Sequence, residues 1–255
     1  PPVHFDGLSV GPYELNASRY DALDGAEFAF GVQRLAARPA CFYLRGVMST
    51  AECDHLVAEI KGRATEQPTT FGGGDSRLGC NVGWLDTKKD PVASELSALI
   101  SELLLTPEVR DVKEWGRGNR FEDMQLLKYE AGGLFKLHHD AKDDHPRTLT
   151  VLFYLTDKGE TWFPLATLDP KAPNPLSVPD ARGLCDGLEP GQHGLLCSPN
   201  KGDAIAFYNY CDDGSGCMDR LAFHAGLPAK EEKLIATLWY SLGYSLKDNS
   251  SIFQA

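Results

Sequence analysis

The length, composition and charge of this chain favour one globular domain and argue against a nucleic-acid partner. With 255 residues, of which 42% are hydrophobic and 24% charged, the chain can bury a sizeable core without disulfide support. Its net charge of -11 argues against the basic face that nucleic acid requires, although an acidic surface could favour a basic substrate. No apolar run reaches the roughly 18 residues that would indicate a transmembrane helix.

Two helices are predicted in the first half of the chain. Ser49 and Glu52 have the spacing of a capping box, and apolar residues follow at helical intervals, so a helix is expected over about 50–62. Pro91 occupies a favourable first-turn position for a second helix, whose apolar stripe ends near Thr106. Both helices are interpreted as scaffold.

The rest of the chain is predicted to be loops and strands. Residues 1–38 carry little signal, and residues 64–90 are predicted to form a flexible loop. The glycines at 72–74 could suggest a phosphate-binding loop, but they lack its residue spacing. They are therefore interpreted as a mobile lid. From Met124 onward, short apolar strands broken by Gly, Pro and Asp are typical of an antiparallel jelly roll. Residues 166–200 are predicted to be a long loop near the mouth of that barrel.

A short pattern of metal-binding residue types follows the apolar run that begins at Met124. His138 and Asp140 are two residues apart, and in an extended strand this spacing directs both side chains to one face. Together with His224 they would form a 2-His-1-carboxylate triad, which holds Fe(II) on one side and leaves positions open. The spacing alone is also compatible with a surface His-Asp pair formed by chance. His139 would face away from such a metal, because it lies between two ligands.

Several further blocks occur in the order known from one enzyme family. They comprise residues 129–132 with Phe135, Arg147 and Thr150, residues 159–161 with Phe163 and Pro164, residues 201–203, Pro228, Lys233 and Trp239. With these blocks the chain resembles the prolyl 4-hydroxylase branch of the Fe(II)- and 2-oxoglutarate-dependent dioxygenases from about Cys41 to Tyr240. The resemblance implies a mostly β fold with flanking helices, built on a double-stranded β-helix (jelly roll) of the 2-oxoglutarate oxygenase type. It also implies one domain over 1–255, with a supporting region at 1–120 and a catalytic core at 121–245.

The resemblance assigns roles to individual residues. The catalytic metal ligands would be His138, Asp140 and His224. The residues that bind 2-oxoglutarate would be Lys233, Tyr129 and Thr161. The substrate contacts would be Arg147 and Trp239. In this family 2-oxoglutarate and O2 are consumed, succinate and CO2 are released and a C–H bond is hydroxylated, with ascorbate as the expected reductant. Each residue also has an ordinary interpretation as a strand residue or a surface charge.

Two lysines compete for the role of binding 2-oxoglutarate. Lys230 and Lys233 lie six and nine residues after His224, whereas the family more often has its lysine at the tenth position. Because alternate residues of a strand share a face, Lys233 is expected to point the same way as Trp239. Lys230 belongs to a polar turn and is expected to face solvent.

The resemblance leaves the substrate open. Phe135, Leu227 and Leu234 replace residues that are more usual in the family. The expected partner is a peptide or protein that contains proline, hydroxylated most simply at carbon 4. Free proline, another amino acid or a small metabolite are alternatives, because the triad determines the oxidant and not the target. A non-catalytic binding module on the same barrel is a further alternative.

Cysteine usage bears on the cellular compartment. Seven cysteines cannot all pair within one chain, so at least one is free or intermolecular. Cys211 with Cys217, or Cys185 with Cys197, could close a bridge across a Gly-rich loop in an oxidising compartment. Together with two Asn-x-Ser sequons, this slightly favours the endoplasmic reticulum lumen or secretory pathway over the cytoplasm, without deciding between them.

Overall fold

The fold is described from a computed structural model. It describes residues 15–66, 76–105, 122–141, 147–157, 159–211 and 216–241, together with the backbone of a short strand at residues 3–5. The segment interpreted as a mobile lid, 72–74, lies outside these residues.

Twelve strands and three α-helices make up the described fold. In chain order they are β1 (Val3–Phe5), β2 (Leu15–Tyr20), β3 (Glu27–Ala36), β4 (Cys41–Arg45), α1 (Thr50–Arg63), β5 (Arg77–Leu85), α2 (Pro91–Leu104), β6 (Met124–His138), β7 (Arg147–Tyr154), β8 (Thr161–Phe163), α3 (Val178–Leu184), β9 (Leu195–Cys197), β10 (Ala204–Tyr208), a 3-10 turn (Arg220–Ala222), β11 (His224–Gly226) and β12 (Lys233–Ser241).

The strands form one continuous sheet that folds over at β6. The larger part has the order β2-β3-β4-β10-β7-β12-β6, and the smaller part continues from β6 through β11, β8 and β9 to β1. The first half of β6 pairs with β12 and its last residues pair with β11, while β5 lies along its other edge. This topology confirms the expected mostly β, jelly-roll fold with flanking helices.

The two helices of the first half cover the outer face of the larger sheet. Leu56 and Ile60 of α1 and Leu96 and Ile100 of α2 are fully buried in this layer. Burying a side chain of this size stabilises the fold by roughly 1.5–3 kcal/mol. Both helices begin as the sequence predicts: α1 has the capping box of Ser49, and α2 has Pro91 in its first turn.

A second apolar layer fills the space between the two halves of the folded sheet. Its largest fully buried members are aromatic, namely Tyr43, Tyr154, Phe163 and Phe207. This layer closes the inside of the barrel below the open end, where β6, β8, β11 and β12 meet.

The prediction of a flexible loop over 64–90 is wrong for its second half, which contains β5. Two glycines within β5 have positional roles in the strand. Gly79 has a φ of 56° and lies at a bulge in the pairing with β6. A Cβ on Gly83 would lie 2.6 Å from the carbonyl carbon of Arg63, so glycine allows β5 to pass the end of α1. Pairing with β6 therefore overrides the weak local strand propensity.

The prediction of one long loop over 166–200 is also wrong. α3 begins after Ser177, whose side chain accepts a hydrogen bond from the backbone N–H of Asp180, and Pro179 fits the first helical turn. Proline disrupts a helix interior but is tolerated in the first turn, so the prolines of this segment do not by themselves exclude a helix. Near the end of the segment, β9 pairs with β8 and β1.

The structure also revises the expectations for the first 38 residues and for the cysteines. Residues 1–38, which carried little signal, contain β2 and β3, which extend the larger sheet beyond β4. A bridge between Cys185 and Cys197 is absent, because both are free thiols. The backbone N–H of Cys211 donates a hydrogen bond of 2.9 Å to the carbonyl oxygen of Cys217. A disulfide between these two cysteines stays a prediction. None of the described helices has the length and apolar composition required to span a membrane.

Candidate active site

Three metal-binding side chains converge where the smaller sheet begins. β6 ends at His138 and β11 begins at His224, and these two residues are direct cross-strand neighbours. Asp140 follows β6 in a bend, so the strand ends before the His-x-Asp pattern is complete. Nevertheless, one ligand atom from each of the three side chains lies within 4.8 Å of the others. The geometry therefore brings together the three residues that the sequence singles out.

The two histidines present the same ring nitrogen to the shared space. His138 Nδ1 lies 2.8 Å from the carbonyl oxygen of Lys136, and His224 Nδ1 lies 3.0 Å from that of Ala222. A carbonyl only accepts hydrogen bonds, so Nδ1 carries the proton and Nε2 keeps its lone pair. His138 Nε2 is 3.4 Å from Asp140 Oδ1, and His224 Nε2 is 3.8 Å from Oδ2. Two neutral imidazole nitrogens and a carboxylate suit a divalent cation such as Fe(II).

Burial sets the charge of these groups. Burial lowers the pKa of His224 to about 3, which keeps the imidazole neutral at physiological pH. Burial opposes ionisation of Asp140, but the neighbouring His224, His138 and the Arg147 guanidinium favour it and hold the pKa of Asp140 well below its usual range. The site therefore presents the Asp140 carboxylate charge beside the neutral imidazole of His224.

His139 faces away from the three ligands, as its position between two of them indicates. Its Nε2 lies 2.9 Å from the carbonyl oxygen of Asp219, and its Nδ1 accepts a hydrogen bond from the backbone N–H of Ala141. Burial lowers the pKa of His139, so the ring is neutral. It links the bend after β6 to the segment that precedes β11.

A buried lysine lies in the same cavity as the three ligands. Lys233, which is 5% exposed, opens β12 opposite Tyr129 of β6. Its Nζ donates to the carbonyl oxygen of Glu160 at 3.2 Å and lies 5.7 Å from the ring centre of Tyr129 and 5.9 Å from that of Tyr154. Among the described residues no carboxylate forms an ion pair with it. Burial lowers the pKa of Lys233 to about 8.

The surroundings distinguish this lysine from its neighbour. A Cβ on Gly159 would lie 2.9 Å from Cε of Lys233, so glycine leaves room for the lysine side chain. The Lys230 side chain is 68% exposed, and its Nζ lies 3.6 Å from the Glu160 carboxylate. The structure therefore directs Lys233 inward and Lys230 toward solvent.

The two predicted hydroxyl groups line the same cavity as Lys233. Tyr129 is buried, and burial raises the pKa of its hydroxyl. The Thr161 hydroxyl is 2.6 Å from that of Tyr154, and both Thr161 and Tyr129 line the cavity. This end of the cavity thus offers one cation and hydroxyl groups to a ligand.

The two predicted substrate contacts touch each other, and of the two only Trp239 lines the cavity. The Arg147 guanidinium lies 3.7 Å from the ring centre of Trp239, and the Trp84 ring lies 6.4 Å from the Trp239 ring on β12. Glu122 accepts two hydrogen bonds of 2.7 Å from Arg147, so that part of the arginine charge is neutralised. The Trp239 Nε1 donates to Asp140 at 3.1 Å, which connects this aromatic wall to the metal ligands.

Comparison with known proteins agrees with this geometry. The model of the 2OG-Fe(II) oxygenase superfamily matches residues 124–241, which include all three ligands and Lys233. Probable prolyl 4-hydroxylase 4 of Arabidopsis thaliana is 31% identical over 228 residues, which cover 82% of this chain and 69% of the relative. The chain belongs to the 2OG-Fe(II) oxygenase superfamily. Prolyl 4-hydroxylase 2 of the same plant is 29% identical and is covered to 69% by a match that spans 82% of this chain.

Solved structures support the fold assignment of this oxygenase. The viral collagen prolyl hydroxylase from Paramecium Bursaria Chlorella virus-1 superposes with a TM-score of 0.51 and 23% identity, covering 78% of this chain and 94% of the viral one. A prolyl-4-hydroxylase from Pseudomonas putida gives a TM-score of 0.51 with 17% identity, covering 80% of this chain and 92% of that one. The resemblance seen in the sequence is thereby confirmed at the level of superfamily and fold.

The oxygenase site also contains residues that the sequence did not single out. Thr237 lies between Lys233 and Trp239 on the face of β12 that lines the cavity. Because alternate residues of a strand share a face, the sequence was sufficient to predict this position. Its buried hydroxyl has no hydrogen-bond partner among the described residues. Glu122 is 25 residues from its partner Arg147, and Asn209 is 59 residues from its partner Thr150. No local sequence pattern identifies partners at such separations.

Proposed function

We propose that this oxygenase hydroxylates a prolyl residue of a peptide or protein, using Fe(II), 2-oxoglutarate and O2. The observation that carries the proposal is one cavity that contains three convergent metal ligands and a buried lysine without a carboxylate partner among the described residues. A binding module that had lost its chemistry would have no need to keep both features.

Fe(II) would be held by His138 Nε2, His224 Nε2 and the Asp140 carboxylate. The donor set fits, since two imidazoles and one carboxylate on one face are the ligands of non-haem Fe(II) oxygenases. Fe(II) and 2-oxoglutarate together supply the oxidant: 2-oxoglutarate and O2 are consumed, succinate and CO2 are released, and one oxygen atom enters the substrate C–H bond. The protein contributes orientation and exclusion of water, which the apolar layer below the ligands provides.

The carboxylate of 2-oxoglutarate away from the metal would bind Lys233. A buried ammonium group without an anionic partner is costly, and a ligand carboxylate would remove that cost through a charge-assisted hydrogen bond. The hydroxyl groups of Tyr129 and Thr161 would donate to the same carboxylate. The unpartnered hydroxyl of Thr237 would face the ligand from β12.

The substrate would approach along the wall formed by Arg147, Trp239 and Trp84. Trp84 is 46% exposed, so the wall reaches the surface, and its exposed aromatic ring suits the compact, apolar ring of a prolyl residue. Several relatives are named prolyl 4-hydroxylases, and a prolyl hydroxylase from Trichoplax adhaerens with a TM-score of 0.50 was solved with a peptide fragment. These names support a peptidyl target for this chain.

The test uses the protein loaded with Fe(II) and supplied with 2-oxoglutarate, ascorbate as reductant and a library of proline-containing peptides. We expect some peptides to gain the mass of one oxygen atom, with the gain located on proline by fragmentation. Hydroxylation of free proline or of a small metabolite, with every peptide unchanged, would contradict the peptidyl target but not the oxygenase chemistry. Failure to release succinate with any acceptor would favour the binding module.

A further inference from the structure

The two oxygens of the Asp140 carboxylate have different surroundings. Oδ2 accepts a hydrogen bond of 2.7 Å from the Thr150 hydroxyl and one of 3.1 Å from the Trp239 ring nitrogen. Oδ1 has no such donor among the described residues, and it lies 3.4 Å from His138 Nε2. Oδ2 is therefore held by two protein donors and lies 3.8 Å from His224 Nε2, while Oδ1 faces His138 Nε2 without a donor among the described residues.

The direction of the bond from Thr150 determines what lies behind it. An ionised carboxylate can only accept, so the Thr150 hydroxyl must donate its single proton to Asp140. Thr150 Oγ1 then needs a donor of its own, and Asn209 Nδ2 lies 3.0 Å from it. The side-chain amide must therefore point its NH2 group at Thr150, which fixes the amide orientation that geometry alone leaves ambiguous.

The backbone of Asn209 is held in place directly after β10. The residue is fully buried, its backbone N–H donates to the carbonyl oxygen of Thr148 at 2.8 Å, and its carbonyl accepts from the N–H of Asp219 at 2.9 Å. The chain of donors thus runs from a fixed backbone position through Asn209 and Thr150 to the carboxylate. All of its members are at most 6% exposed, so water cannot easily replace any of them.

We propose that Asn209 and Thr150 are positioning residues that fix the Asp140 carboxylate with Oδ1 presented to the metal. The inference rests on the proposed metal site, because it concerns how one ligand of that site is oriented. Neither residue lines the cavity. Asn209 orients the Thr150 hydroxyl, and that hydroxyl restrains rotation of the carboxylate. Partners of metal ligands of this kind typically contribute about 10- to 100-fold to metal affinity.

The experiment measures the dissociation constant of Co(II), used as an O2-stable probe for Fe(II), by calorimetric titration of the full chain. For Thr150→Val, which keeps the side-chain shape and removes the hydroxyl, we expect binding about tenfold weaker. Thr150→Ser should restore the affinity, because it restores the donor. Asn209→Ala should weaken binding in the parent protein and add no further loss in the Thr150→Val background, since it acts through that hydroxyl.

A matched control separates positioning from stability. Ser97 is a buried hydroxyl residue of α2 that accepts from the Tyr240 hydroxyl and has no contact with the metal ligands. Ser97→Ala should lower the thermal midpoint of the metal-free protein without weakening Co(II) binding. The Co(II) absorption spectrum gives a second readout, and it should change for Thr150→Val and not for Ser97→Ala.

The outcomes for this inference and for the metal site are distinct. If Asp140→Ala abolishes Co(II) binding while Thr150→Val binds like the parent, the positioning role is wrong and the metal site stands. If Thr150→Ser binds Co(II) as weakly as Thr150→Val, the hydroxyl does not account for the lost affinity and the inference is again wrong. If the parent binds Co(II) no better than Asp140→Ala, the metal site itself fails and the inference fails with it.

Discussion

At the scale of residues, the charged side chains of the site differ in whether they have a partner of opposite charge, and this difference indicates where an anionic ligand would bind. Asp140 accepts hydrogen bonds from two side chains, and Glu122 neutralises part of the Arg147 charge. Within the described part of the chain, Lys233 contacts a backbone carbonyl and two aromatic rings but no carboxylate partner. A buried cation in such surroundings is the natural partner of an anionic ligand. Three predictions follow from this contrast.

Replacing Lys233 by Ala should raise the dissociation constant of 2-oxoglutarate by tens- to a hundredfold. The physical reason is the loss of a charge-assisted hydrogen bond, on the order of 2–3 kcal/mol. Lys230→Ala is the matched control, because this lysine is exposed and should leave the constant nearly unchanged. Titration of 2-oxoglutarate against the Fe(II)-loaded variants makes the comparison. A large shift for Lys230→Ala with none for Lys233→Ala would show that the assignment of β12 is wrong.

The affinity for 2-oxoglutarate should also decrease as pH rises through about 8. Burial lowers the folded pKa of Lys233 to about 8, opposed by the Glu160 and Cys80 side chains, so the free protein loses the required positive charge above that pH. A bound carboxylate favours the charged form, so proton uptake should accompany binding near pH 8. Calorimetry in buffers of different ionisation enthalpy measures this uptake. Equal affinity at pH 7 and pH 9.5 would contradict it.

Replacing Arg147 by Ala should weaken peptide use more than it affects 2-oxoglutarate turnover. The guanidinium stacks on Trp239, a contact of roughly 0.5–2 kcal/mol, and without it we expect the peptide KM to rise several-fold. Succinate release without peptide hydroxylation should persist. Arg63→Ala is a suitable control, because Arg63 also pairs with a glutamate but lies at the exposed end of α1. Unchanged peptide kinetics for Arg147→Ala would remove Arg147 from the substrate site.

At the scale of elements, close backbone approaches decide where glycine is required. β5 passes the end of α1 at Gly83, and a Cβ there would meet the backbone of Arg63 at 2.6 Å. Gly62 of α1 has open space around its missing Cβ and lies within a helix, where alanine is the better residue. Substitution of glycine by alanine is therefore expected to change the free energy of unfolding in opposite directions at these two positions.

Gly83→Ala should destabilise the protein by about 1–3 kcal/mol, because neither backbone can move away without disturbing α1 or β5. Gly62→Ala should stabilise it by about 0.5–1 kcal/mol. Urea denaturation of the two variants measures the free energies of unfolding. Similar effects of the same sign at both positions would contradict the packing of β5 on α1.

The elements also explain what the sequence could and could not predict. α1 and α2 were predicted closely because their signals are local: a capping box, a first-turn proline and an apolar stripe. β5 was missed because its strand character comes from pairing with β6 and not from its own glycine-rich sequence. The metal ligands were found because they form a motif, whereas Asn209 behind Thr150 has no sequence signal and required the fold.

At the scale of the whole molecule, distant segments meet to build one cavity. The metal ligands come from the end of β6 and the start of β11, Lys233 comes from β12, and the wall beside them comes from β5, β7 and β12. β4 and β5, from the first half of the chain, pair with β10 and β6 of the second half, so the larger sheet spans both. The division into a supporting region and a catalytic core stays a prediction.

The most direct test of the central claim is succinate release from 2-oxoglutarate by the Fe(II)-loaded protein and its ligand variants. We predict release that requires Fe(II) and O2 in the parent protein and is abolished in His138→Ala, Asp140→Ala and His224→Ala, with circular dichroism unchanged. Because the three ligand atoms share one space, removing any one should be enough. Undiminished succinate release by a folded His224→Ala protein would contradict the account.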